Sequence, residues 1–487
     1  MNEFHTTNLP EIDDVGRVET YGIDVIPQHA RHGKPRDLFF VWLAFNITYY
    51  YLIIGGILMI LGLNVLEASL VVLIGNLGAF SVGLISVTGP VSGTCTMVVG
   101  RAQYGTNGNR LVNASVTWIS DVAYEAINLS ICAIALFALL SYEGLHVNIG
   151  MKVGVLLLTM IATFTLSIYG HATIVRYTKY LTIAFAVFFL VLFGFVSSHA
   201  KLSYQPSHPL HGSSLIATIL VGLTLVLAGA LGPGNSSAEY ARYLPADSSR
   251  KAIVWWSTSG AYLSAVFLSI LGILAGTVVN MNNPQTSMRA LMPGWFYIPF
   301  LLMIFAGTMA NGVLTTYSSG LTLQAMGLTA RRTRTVLIDA TLASAMTAYA
   351  LFVSNFLTSM GNFLSLMVIW YGPFTAIFFV DVIMRSGMYD GEALLEGSYP
   401  YAFPKGFNWS GVIAMISGMV TAGLCINTTP WQGPISKALN GADISPFVGV
   451  IVGGLVYWGL SRRSLNAKGQ LLFVQRAQGT STVADLS

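Results

Sequence analysis

Four side chains capable of chemistry crowd eight consecutive positions of an otherwise apolar stretch: Asp121, Tyr124, Glu125 and Asn128. Residues four apart share one face of a helix. The two carboxylates therefore lie together, and so do the ring and the amide. A ring that stacks beside an amide that both donates and accepts suits a planar ligand with ring N–H and C=O groups. A carboxylate inside a lipid-embedded helix is costly and functional by default. Asp121 and Glu125 thus offer either a protonatable pair or a counter-charge for a small cation. Glu239 reads as structural, because Arg242 can neutralise it within the same segment.

Other chemistries find little support. The sequence contains no GxxxxGK[ST], HExxH or CxxC pattern, so we expect no enzyme, no cofactor and no metal centre. Cys95, Cys132 and Cys425 lie far apart and read as small apolar fillers. His199, His208 and His211 surround one loop without a cysteine or carboxylate cluster to complete a metal site.

The elements that must position these residues are membrane helices. Only 9% of the 487 residues are charged, against about a quarter in a soluble domain. Such a chain cannot cover its own surface with polar side chains, so its solvent is lipid. Apolar runs predict twelve helices, near 38–63, 67–90, 111–141, 150–170, 178–198, 213–239, 252–280, 295–325, 335–354, 357–381, 409–427 and 445–461. Placing both termini in the cytoplasm leaves only Lys152, Lys201, Arg289 and Lys437 outside. The other basic residues, including Arg242 to Lys251 and Arg331 to Arg334, then fall inside, as the positive-inside rule requires. The polar first 37 residues predict no cleaved signal peptide, and the first helix doubles as the insertion signal.

Two of these helices carry interruptions. Asn46 and Thr48 break the apolar run of helix 1, and Gly232-Pro233-Gly234-Asn235-Ser236-Ser237 breaks that of helix 6. Such breaks free backbone groups in mid-membrane, which is tolerable only beside a protein or water cavity. Broken helices five apart mark an inverted-repeat secondary transporter with its substrate at the breaks. A membrane receptor on the same fold is the rival class, and the short tails carry no sensory domain to support it.

Five blocks then resemble the nucleobase–cation symporters, the purine/cytosine permease family. They are RHGKPRDLFFVWLAFN before and into helix 1, GPVSGTCTMVVGRAQYGTNGNR after helix 2, and AYEAIN in helix 3. SSAEYARYLPADSSRKAIVWW follows helix 6, and NGVLTTYSSGLTLQAMGL lies in helix 8. The resemblance implies an all-α membrane protein of the LeuT type. Its five-plus-five inverted repeat would cover 38–198 and 213–381, with two extra helices over 409–461 and cytoplasmic tails at 1–37 and 462–487. It also implies import of a cytosine, purine or related compound across the plasma (inner) membrane with Na⁺ or H⁺.

Carried over position by position, the resemblance places a substrate-stacking ring at Tyr124 and substrate amides at Asn128 and Asn311. Thr315 stands where the family has a second asparagine, and Gly232-Pro233, or Leu231-Gly232 in another register, where it often has Gly-Trp. Asn46 and Thr48 fall in the unwound part of helix 1. In Na⁺-coupled relatives the ion rests on helix 1 carbonyls, here those of Ala44 and Ile47, and on helix 8 positions, here Ala306, Met309 and Ala310. The side chains of Met309 and Ala310 give no hard oxygen ligand, and the nearby Thr308 would need a shift of register. The reading therefore favours H⁺ through Asp121 and Glu125 over Na⁺. Transport of a guanidine-type or vitamin-type cation, with those carboxylates as counter-charge, stays open beside a nucleobase-like substrate.

Overall fold

The computed structural model describes residues 21–167, 171–328 and 332–477. The outer parts of both expected tails, 1–20 and 478–487, lie outside the described residues, as does Arg331 of the expected inside cluster. Among the described residues, each of the twelve predicted stretches falls on helix, and 168–170 of the fourth lie outside them. Among the described residues there is no strand, only an isolated bridge between Asn427 and Gln432. Among the described residues nine helices are long and apolar enough to cross a bilayer, or ten with the bent pair of helix 1 counted as one. The segment Ile149–Thr165 of helix 4 is a shorter apolar helix.

Lipid exposure follows helical periodicity. Leu66, Leu70, Leu73 and Leu77 of helix 2 are exposed at the spacing that puts them on one face. An apolar stripe of this kind on an outer helix is what a hydrocarbon solvent demands. All three cysteines are free and buried.

Helix 1 consists of Asp37–Asn46 and Tyr49–Ile60, bent by 53°. Ile47 (ψ 59°) and Thr48 (φ −120°, ψ 152°) leave helical geometry between them. Helix 6 departs from a full gap. Gly212–Leu231 passes into a 3-10 turn over Gly232–Ser236 and continues as Ser237–Ala241. Pro233, at the first turn of the 3-10 segment, has no N–H to return to the preceding helix, and the carbonyl of Gly229, four residues back, lies 3.0 Å from the Tyr51 hydroxyl instead. The α-helix is thus interrupted by a tighter 3-10 turn instead of an open gap.

Helix 7, Arg250–Gly276, lies along both halves of helix 1. A Cβ at Gly260 would overlap the carbonyl of Phe39, one at Gly272 the carbonyl of Leu52, and one at Gly55 the carbonyl of Ser269. Such backbone-to-backbone packing is how small residues join helices in lipid.

Residues 22–36 are not a free tail. Ile26 is buried and its N–H donates to the carbonyl of Gly93 (2.9 Å), while Arg242 donates to the carbonyl of Gly22 (2.6 Å). Asp381, at the end of helix 10 (Phe356–Met384), ties together another set of elements. It accepts from Gln103 (2.8 Å), Tyr389 (2.8 Å), Tyr457 of helix 12 (2.7 Å) and Arg385 Nε (2.9 and 3.1 Å).

Candidate functional site

Helices 1, 3, 6 and 8 line a narrow cavity of about 50 Å³. Helix 1 contributes Phe45, Asn46 and Thr48 at its bend, followed by Tyr50 and Tyr51. The bend ends the helical run, so residues on both sides of it can face one space. Helix 3, Ser115–Tyr142, contributes Asp121, Tyr124 and Asn128. Helix 8, Gly294–Ala325, adds Asn311, Thr315 and Ser318, whose four- and three-residue steps keep them on one face.

Helix 6 gives Gly229, Gly232, Pro233, Asn235 and Ser236. Gly232 has a steric role here. A Cβ at that position would lie 2.8 Å from the Tyr124 hydroxyl, so the glycine leaves room for the ring. Tyr124 meets Tyr50 and Phe363 edge-on, with centroids 6.2 and 5.5 Å apart.

The amides form a chain. Asn128 donates to the Asn311 carbonyl oxygen (2.8 Å), and Asn311 donates to the main-chain carbonyl of Phe45 (2.7 Å). A backbone group near the helix 1 bend is thereby satisfied by helix 8. Tyr51 donates to Asn46 Oδ1 (2.7 Å) and to the Gly229 carbonyl (3.0 Å), which joins helix 1 to helix 6. Asn235 donates to Asp121 Oδ1 (3.2 Å). Among the described residues, no lysine, arginine or histidine borders the cavity.

The structure thus brings all the predicted substrate positions, from Asn46 to Thr315, to one cavity. Of the predicted coupling residues, only Asp121 borders it. Ile47 is buried, while Ala44 and Ala306 are half-buried away from the cavity. Glu125 is 1% exposed and also lies away from it. Neither of its oxygens meets a donor at hydrogen-bond geometry; it faces Thr316 of helix 8 and Asp339 of helix 9. Glu239 and Arg242 are both fully buried, and Arg242 also donates to Tyr317 (3.2 Å).

Sequence reasoning missed Asp339, which is fully buried and accepts from Trp118 Nε1 at 2.7 Å. Its signal was a lone aspartate in the apolar run of helix 9. Tyr50, Tyr51 and Phe45 were missed too. The run of three tyrosines directly after the interrupted stretch was the clue to the first two.

Comparison with known proteins follows the same lines. Residues 25–449 match the family model described as permeases for cytosine/purines, uracil, thiamine and allantoin. The putative purine-cytosine permease YxlA of Bacillus subtilis is 28% identical over 466 residues, covering 93% of this chain and 98% of that protein. The purine-cytosine permease fcyB of Emericella nidulans is 24% identical, covering 88% of this chain and 85% of its own length. Among solved structures, Mhp1, a nucleobase-cation-symport-1 family transporter with bromovinylhydantoin bound, superposes with a TM-score of 0.73. It shares 15% identity over 93% of this chain and 96% of its own, so the likeness is one of fold.

Proposed function

We propose, for a chain that belongs to the permease family for cytosine/purines, uracil, thiamine and allantoin, a proton-coupled importer of a small nitrogen-rich heterocycle of the nucleobase type. The family is one of multi-pass membrane transporters, not of enzymes. The observation that carries the reading is the meeting of the Tyr124 ring with the Asn128–Asn311 amide pair at the bend of helix 1. A ring face and amide hydrogen bonds are what a flat heterocycle with N–H and C=O groups requires. The absence of a cation among the cavity-lining residues fits a ligand that is neutral or positive, not anionic.

In this reading twelve helices cross the plasma (inner) membrane with both termini in the cytoplasm, and 38–198 and 213–381 form the two repeats. Asp121 meets the substrate, and Glu125 with Asp339 behind it takes the coupling proton. Two observations support protons over Na⁺: Ala306, Met309 and Ala310 supply no side-chain oxygen, whereas Glu125 is a buried carboxyl whose oxygens meet no protein donor.

Uptake of radiolabelled cytosine and guanine into proteoliposomes, at clamped potential, tests the reading. An inward pH gradient should stimulate uptake, and Glu125→Gln should remove that stimulation while leaving counterflow intact. Stimulation by Na⁺ alone, with Glu125→Gln fully active, would overturn the proton coupling.

A further inference from the structure

The cavity's polar groups are unevenly spent. The Asn128 and Asn311 amides donate to Asn311 and Phe45, as above, and Asn46 donates to the carbonyl of Trp42 (3.2 Å). Asn235 donates to Asp121, and the Tyr51 hydroxyl to Asn46 and Gly229. The hydroxyls of Thr315 and Ser236 donate to the carbonyls of Asn311 (3.1 Å) and Pro233 (3.4 Å). Each amide keeps one N–H, and Thr48 and Tyr50 keep hydroxyls that give or take.

The acceptors are far less used. Asp121 has one oxygen bonded by Asn235 and the other without a protein partner. The side-chain carbonyls of Asn128 and Asn235, as oriented by those bonds, also face no protein donor. An ionised carboxylate accepts at about four lone-pair sites and donates none. Asp121, the carboxyl that borders the cavity, is in its ionised form an acceptor alone, held in orientation by a neighbouring amide.

Resting on the site assignment above, we infer that the site selects heterocycles through an edge of two adjacent N–H donors, the amidine or guanidine edge, and that Asp121 is the residue that reads it. Two parallel N–H groups match both oxygens of a carboxylate in a charge-assisted, bidentate pair. An edge that lacks one of the two donors leaves a carboxylate oxygen desolvated and unpaired, which a dry site penalises heavily. A lactam edge does worse, since its C=O opposes an oxygen. The Asn128 amide keeps one N–H and its carbonyl, a donor–acceptor pair that complements a lactam edge instead, so discrimination in favour of two adjacent donors falls to Asp121. Asn235 is then a positioning residue, because its bond to Oδ1 sets the plane of the carboxyl group.

The test needs two matched pairs of compounds on the purified full-length protein: guanine with hypoxanthine, and isocytosine with 4-pyrimidinone. The members of each pair differ only in an amino group beside a ring N–H. By calorimetric titration, the amino-bearing member should bind roughly tenfold or more tighter in each pair, as a charge-assisted hydrogen bond implies. Asp121→Asn should close that gap, while Tyr124→Ala and Asn128→Ala weaken all four compounds together. The wild-type comparison decides the matter even if Asp121→Asn fails to fold. Equal affinity within the pairs, tighter binding of the members without the amino group, or no binding by either amino-bearing compound overturns the inference. If the gap is absent but Tyr124→Ala and Asn128→Ala still abolish binding, the inference alone falls. If all four bind and those variants change nothing, the site assignment falls with it.

Discussion

Two buried carboxylate settings in this protein are built on opposite plans. Asp381 is surrounded by donors from Gln103, Tyr389, Tyr457 and Arg385, which come from three separate parts of the chain. The carboxyls of helices 3 and 9, of which only Asp121 borders the cavity, are starved by comparison. Asp121 has the Asn235 amide, Asp339 has the Trp118 indole, and neither oxygen of Glu125 meets a donor at hydrogen-bond geometry. A charge with a full set of partners holds elements in place, and its removal strands the groups that served it. A carboxyl with few partners loses little when its proton state or its neighbours change, which is the property a transport cycle uses. Burial is the same in both settings; the number of donors separates scaffold from working part.

That contrast can be broken by substitution. Asp381→Ala leaves Arg385 buried without its counter-charge and should cost about 3–5 kcal/mol of stability. We expect early unfolding in detergent and loss of the monodisperse peak in size-exclusion chromatography. If Asp381→Ala melts with the wild type, the scaffold role is wrong. Asn128→Ala should instead spare the fold and weaken ligand binding by about 1–3 kcal/mol, through loss of one hydrogen bond in a dry pocket. Thermal melting paired with calorimetric titration separates these outcomes, and a large loss of melting temperature would place Asn128 with the scaffold. The smallest effect should come from Trp118→Phe, which removes the indole donor to Asp339 at about 1 kcal/mol. Its expected trace is a changed pH dependence of uptake with a nearly unchanged melting curve. An unaltered pH profile would detach Asp339 from the coupling route.

Much of this was legible in the residues. The helices were readable because lipid imposes one rule on every crossing segment, and the runs obey it from Phe39 to Leu460. The bend of helix 1 was readable at Asn46 and Thr48, which no uniform apolar helix would place there. The cavity residues were found because family motifs carry positions, and spacing on helices 3 and 8 then put Tyr124, Asn128, Asn311 and Thr315 on shared faces. What escaped were facts of orientation between helices. Periodicity put Asp121 and Glu125 on one face of helix 3, but that face is wide enough for one to border the cavity and the other to meet helix 9. Asp339 escaped because a lone carboxylate in one helix shows its meaning only when the facing helix is known. The interruption of helix 6 was readable at Gly232-Pro233-Gly234 but its form was not, because these residues permit unwinding and 3-10 winding alike.

The glycine contacts of helix 7 have a mechanical consequence. A bend between Asn46 and Tyr49 would, alone, act as a loose joint, with each half of helix 1 free to swing. Helix 7 touches both halves at backbone distance, at Phe39 on one side and at Leu52 and Gly55 on the other. It is a splint across the joint. The two halves of helix 1 and helix 7 are thereby held as one stiff beam, and a swing of either half alone would have to pull it from a backbone contact. A methyl group at Gly260, Gly55 or Gly272 would prise the beam apart far from the ligand, slowing turnover while leaving every cavity-lining side chain in place.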